Sequence, residues 1–219
     1  MSHMKYLLDS DAATCLCKYE LVEDLSAALN ISIADCFVLP QLRYQLRLNN
    51  LKKATTKLGT LAAVAQAQLL VSSASEIIVL ADSANYVLLE GTPDIDGGEL
   101  ALFAALCASS DSKLLTGDKR SLVALCKVEG QVASSSYWAR ILCTEEAIAL
   151  IIEKFGWEHV SKKVRSRPDA NMGLSIIFGR TTANSAEVVA DGLKSYLNEL
   201  VANTKGKYAS PFLAASVLQ

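Results

Sequence analysis

The chain has 219 residues, 51% of them apolar and 20% charged, a composition that allows one generous domain with a sizeable core and excludes a disordered or low-complexity polypeptide. Its formal net charge of -2 excludes a globally basic nucleic-acid binder, so any basic face must be local. The six cysteines (Cys15, Cys17, Cys36, Cys107, Cys126 and Cys143) lack the paired spacing of a zinc site and read as buried free thiols of a reducing, cytoplasmic compartment.

Tyr6 to Asp9 reads as a short strand ending in an acid, and Ala12 to Leu29 as one helix that Asn30 can end. A second strand is expected at Phe37 to Leu39, closed by Pro40. From Gln41 the pattern is again helical, with Leu42, Leu46 and Leu51 on one side and Arg43, Arg47, Lys52, Lys53 and Lys57 supplying a local basic face. Leu58 to Val71 predicts a more buried helix. Ile77 to Leu80 then forms a continuous apolar run that suits a strand covered on both faces. A short helix is expected over Asp82 to Leu89.

Asp96 can cap a helix that places Glu99 in its first turn, and Leu114-Leu115 reads as the end of a strand followed by the turn Thr116-Gly117-Asp118. A helix then runs to about Lys127, and a last strand is expected at Gln131 to Ser134. Strands alternating with helices predict βαβ units and a mainly parallel sheet covered on both faces. Residues 5–140 form this core, and residues 141–219 read as a mostly helical extension packed on it. In the extension, Lys162, Lys163, Arg165 and Arg167 form a dense basic cluster suited to phosphate contact. No segment is long and apolar enough for a membrane span, and Met1 to His3, ahead of Met4, reads as a tag remnant.

Asp9, Asp11, Glu99 and Asp118 all fall at strand ends or helix starts, where an open parallel sheet would gather them along its carboxyl edge. Crowded carboxylates repel unless a hard divalent cation sits between them, and magnesium or manganese in such a site suits phosphoryl transfer. Asp96 is expected to cap, and Asp94 and Asp96 add charge nearby.

The order Leu8-Asp9-Ser10-Asp11, then Val38-Leu39-Pro40 before a helix, then Asp96-Gly97-Gly98-Glu99, then Leu114-Leu115-Thr116-Gly117-Asp118-Lys119 resembles the PIN-domain nucleases. The resemblance covers roughly residues 5–135. It implies a three-layer α/β/α fold, Asp9, Glu99 and Asp118 as metal-binding catalytic carboxylates, and Ser10 as the hydroxyl supporting the first acid. It further implies an endoribonuclease of toxin type that leaves 5′-phosphate and 3′-hydroxyl ends, with RNA as substrate and a protein partner such as an antitoxin. One departure stands out: where the family usually carries a glutamate after the proline, this chain has Gln45, which can accept a hydrogen bond but brings no charge.

That departure leaves a second outcome open, a PIN-like module that binds RNA or protein without cutting. Asp9-Ser10-Asp11 also has the D-x-D spacing of haloacid-dehalogenase-like phosphatases, but Thr14 falls one residue late for that motif and no second acid follows Asp118 at the distance it needs. The last third of the chain offers faces for a partner or for a second copy.

Overall fold

The structure, a computed structural model, describes residues 4–78 and 83–215. Five strands, β1 (Lys5–Leu8), β2 (Cys36–Val38), β3 (Ser75–Glu76), β4 (Ser112–Thr116) and β5 (Ile141–Cys143), form one parallel sheet in the order β3-β2-β1-β4-β5. The period of two along the strands divides the core. Tyr6, Leu8, Val38 and Leu115 face one side, while Leu7, Leu114, Ile141 and Cys143 face the other. Both faces are covered by helices, so the architecture is the expected three-layer α/β/α fold with a parallel central sheet and a helical C-terminal part.

The long helix expected after β1 is two helices, α1 (Ser10–Lys18) and α2 (Val22–Leu29). Glu20 breaks it by adopting φ 58°, and α2 ends as expected at Asn30, whose φ of 54° closes the left-handed cap. The basic helix likewise splits into α3 (Leu42–Gln45) and α4 (Leu51–Leu58), because Arg47 turns the chain with φ 60° and Asn50 caps the second piece. α5 (Leu61–Ser73) then carries the chain to the amino end of β3.

The apolar run after α5 behaves differently from expectation. The paired residues are Ser75 and Glu76; Ile77 still donates to Val38 at 2.9 Å and is buried, but Ile78 is 82% exposed, so this edge is not covered on both faces. Val79 and Leu80 of that expected strand, Asp82 of the next helix and Met1 to His3 lie outside the described residues.

α6 (Ala84–Leu89), α7 (Gly97–Ala108) and α8 (Lys119–Leu125) follow. The strand expected at Gln131 to Ser134 is a 3-10 turn at Gly130–Ala133 leading into α9 (Ser135–Trp138), which Ser134 caps through Tyr137 N–H. Trp138 holds this turn from inside the core by donating its indole N–H to Val132 O at 2.8 Å.

The sheet continues past Arg140, because β5 pairs with β4 from Leu114–Ile141 to Thr116–Cys143. Next come α10 (Thr144–Phe155), α11 (Trp157–Ser166), α12 (Met172–Phe178), α13 (Ala186–Asn203) and α14 (Pro211–Ala215). α10 to α12 complete the layer begun by α1, α2 and α5. α13 buries Val189 and Leu193 with that layer but Leu197 and Leu200 with the opposite one, so it wraps the β5 edge. Residues beyond 140 are therefore part of both layers of the core. All six cysteines are buried and free, and among the described residues no helix is long and apolar enough to cross a membrane.

Candidate functional site

The chain winds from β1 to β2 on one side and reaches β4 on the other, so the winding direction reverses between β1 and β4. In open parallel sheets a crevice forms at the carboxyl ends of the two strands flanking such a reversal. Asp9 follows β1 directly, and Thr116, Gly117 and Asp118 end and follow β4.

Asp9 is buried, and one of its carboxylate oxygens accepts from Thr116 Oγ1 at 3.3 Å and from Gly117 N–H at 3.2 Å. Burial raises its pKa, as does the neighbouring charge of Asp11, and the two donors only partly offset the rise. The Thr116 hydroxyl also accepts from Asp118 N–H at 3.1 Å, so this threonine links the first acid to the last. Ser10 is the first residue of α1; Asp9 is supported instead by Thr116 and Gly117.

Glu99 and Asp118 reach the same edge through helix capping. Asp96 caps α7 by accepting from Gly98 N–H at 2.8 Å and Glu99 N–H at 2.9 Å, as the sequence predicts, while the Glu99 carboxylate accepts from Asp96 N–H at 2.8 Å. Asp118 caps α8 by accepting from Arg120 N–H at 2.7 Å and Ser121 N–H at 3.1 Å. Between the two helix starts lies a cleft of about 280 Å³ lined by Asp94, Ile95, Asp96, Glu99, Asp118 and Arg120. Burial first, and then the charges of Asp118 and Asp96, push the Glu99 carboxyl up to about 7, against the N–H of Asp96 and the Ser121 hydroxyl.

This fixes a pH dependence. The folded chain keeps the Glu99 proton up to about pH 7, whereas an unfolded chain loses it near the ordinary value of 4.5. The folded state binds more protons in that interval, so the contribution of Glu99 to metal-free stability falls as pH rises from 4.5 to about 7, and then levels off. Urea denaturation in a chelator should show this slope in the wild type and a flatter one in Glu99→Gln. Equal slopes would mean that the carboxyl is not held protonated.

The expected single cluster of Asp9, Asp11, Glu99 and Asp118 is divided. Glu99 and Asp118 line the cleft; Asp9 is not among its lining residues and bonds the Thr116-Gly117 turn, and exposed Asp11 sits beside it in the first turn of α1. Among the described residues no three acidic, histidine or cysteine side chains converge closely enough to hold a metal by themselves. Two carboxylates in a polar cleft do fit a magnesium-like ion, which keeps several waters and takes its other ligands from substrate phosphate. Gln45 is exposed at the end of α3, while Gln41 is the α3-side glutamine that lies beside Gly98 at the start of α7.

Sequence reasoning missed the contribution of β5 to this edge. Its carboxyl end delivers buried Glu145, which pairs with Lys119 at 2.9 Å; the same ammonium lies 4.0 Å from the centre of the Tyr196 ring on α13. Glu145 reads in the sequence as a first-turn helix acid, and only recognition of Ile141–Cys143 as a strand would have placed it here.

The basic segments separate as well. Arg43 and Arg47 are exposed, and so is Lys162. The other three members of the second cluster are engaged internally: Lys163 with Asp24 and Glu20 O, both at 2.7–2.8 Å, Arg165 with Gly179 O and Thr181 O, and Arg167 with Asp169 and Leu58 O. Their long side chains fasten α11 and its following loop to distant segments instead of forming a free phosphate-binding face. No family model matches the chain, and no curated protein and no solved structure matches it.

Proposed function

We propose that the protein is a metal-dependent endoribonuclease, with Glu99 and Asp118 as carboxylate ligands for a magnesium or manganese ion and Asp9 completing the negatively charged edge. The observation that carries this reading is that three separate stretches of chain bring Asp9, Glu99 and Asp118 to the reversal point of one parallel sheet. A bound ion of this kind supplies a water of lowered pKa and a Lewis acid for phosphate. The chain's own residues orient the carboxylates: Asp96 positions Glu99 through the reciprocal cap, the α8 amides fix Asp118, and Thr116 with Gly117 holds Asp9. RNA as substrate comes from the resemblance to PIN-domain nucleases.

End-labelled single-stranded RNA should be cut with manganese and spared in a chelator, leaving 5′-phosphate ends. Calorimetric titration should show manganese binding that Glu99→Gln weakens by about tenfold, ~1.4 kcal/mol. Folded protein that cuts no RNA with either metal would reject the proposal. The absence of a three-ligand group among the described residues, together with exposed Gln45, favours a second reading, a module that binds RNA without cutting. It is distinguished by RNA binding without measurable heat from manganese.

A further inference from the structure

Between Asp35 and Glu76 the chain has no acidic residue, yet Arg43, Arg47, Lys52, Lys53 and Lys57 all fall there. α3 leaves β2 at the carboxyl edge of the sheet, and α5 returns the chain to the amino end of β3. From α3 the chain runs through α4 to Leu58, whose carbonyl accepts from Arg167, and Thr60 just beyond bonds Glu20 after α1. Arg47, Lys52, Lys53, Thr56 and Lys57 line a groove of about 820 Å³, a surface of four cations and one hydroxyl.

Among the described residues, none of these four cations, nor Arg43, has an ion-pair partner. Lys5, Lys18, Lys119, Arg120, Lys163 and Arg167 pair with carboxylates, whereas others such as Lys113, Lys127 and Lys162 likewise have none among the described residues; what sets this stretch apart is the crowding of five such cations between residues 43 and 57 with no acid among them. Lys53 and Lys57 stand four residues apart on one helix, a like-charge spacing that weakens the helix unless an anion lies across it. An ordinary solvated helix face would interleave acids at these positions, and this one has none. In the same basic stretch, three residues before Arg47, Tyr44 is 64% exposed.

We infer that the α3–α4 groove binds the phosphate backbone of single-stranded RNA while Tyr44 stacks on an unpaired base. Unneutralised cations along a groove attract a polyanion, and an exposed ring stacks on bases only where these are unpaired. The inference rests on the reading under Proposed function solely for the choice of RNA; the groove itself involves none of the acidic residues.

The test is fluorescence anisotropy of labelled oligouridine with the full chain in a chelator, where no hydrolysis occurs. The triple variant K52A/K53A/K57A should bind at least about tenfold more weakly near 0.1 M salt, and the slope of log affinity against log salt should shrink by about 2, near 0.7 per lost phosphate contact on a single strand. Tyr44→Ala should weaken binding by about tenfold with the salt slope unchanged. Circular dichroism establishes that both variants are folded. Wild-type affinity and slope in the triple variant would overturn the inference, as would equally tight binding of duplex RNA or of polyglutamate. Equal binding of oligothymidine would overturn the choice of RNA. Groove-dependent binding without manganese-dependent cleavage would leave this inference standing and remove the nuclease, whereas cleavage with unchanged binding in the variants would do the reverse.

Discussion

Asp9→Asn should lower manganese-dependent RNA cleavage by about 10²- to 10³-fold, a loss typical of removing one electrostatic group from a reaction site, while leaving the melting temperature unchanged or higher. The two effects separate because the structure uses Asp9 for two purposes. As a hydrogen-bond acceptor it receives the Thr116 hydroxyl and Gly117 N–H, and the amide oxygen of asparagine can accept both. As a buried charge it opposes folding at neutral pH, since burial and Asp11 both disfavour its ionised form. Initial rates and thermal melts on the same preparations decide the matter. Undiminished cleavage would remove Asp9 from the site, and a clear fall in melting temperature would show that its carboxylate contributes more to folding than its desolvation costs.

Tyr208→Phe should destabilise the fold by about 3 kcal/mol and lower the melting temperature by roughly 6–12 °C for a chain of this size. The Tyr208 hydroxyl is buried, donates to the Glu146 carboxylate and accepts from Cys143 N–H at 3.0 Å. Glu146 also accepts from Ser210 Oγ at 2.8 Å and from Phe212 N–H at 3.4 Å. Removing one oxygen thus leaves a buried carboxylate without its nearest donor and a strand amide of β5 without its acceptor. The same variant should be cut earlier by protease within the segment after α13, because Glu146 is what ties that segment to α10. A melting temperature within a degree or two of wild type would mean that water replaces the hydroxyl.

The acid-bearing edge was legible because its signals are local. A short apolar run that ends in Asp9, the Asp96-to-Glu99 capping box and the Thr116-Gly117-Asp118 turn each declare their backbone within a few residues. What the sequence could not show was the direction of each carboxylate. Asp9 is held by the Thr116 hydroxyl and Gly117 N–H through hydrogen bonds that span more than a hundred positions of chain, from residue 9 to residues 116 and 117.

The elements that sequence reading misplaced have the same origin. Ile141–Cys143 is too short to show a period of its own and becomes a strand only by pairing with β4. Gln131 to Ser134, where the sequence predicts a strand, is held instead as a tight turn by the Trp138 indole donating to Val132 O. Lys163, Arg165 and Arg167 looked like a solvent-facing run because composition cannot reveal that carbonyls of residues 20, 58, 179 and 181 await them.

The position of β5 sets a limit on how this protein can be shortened. A fragment ending at Arg140 would strip β4 of its neighbour and leave Leu114 to Thr116 as a bare hydrogen-bonding rim beside uncovered apolar residues. Rims of that kind recruit further chains, so the fragment would precipitate on expression.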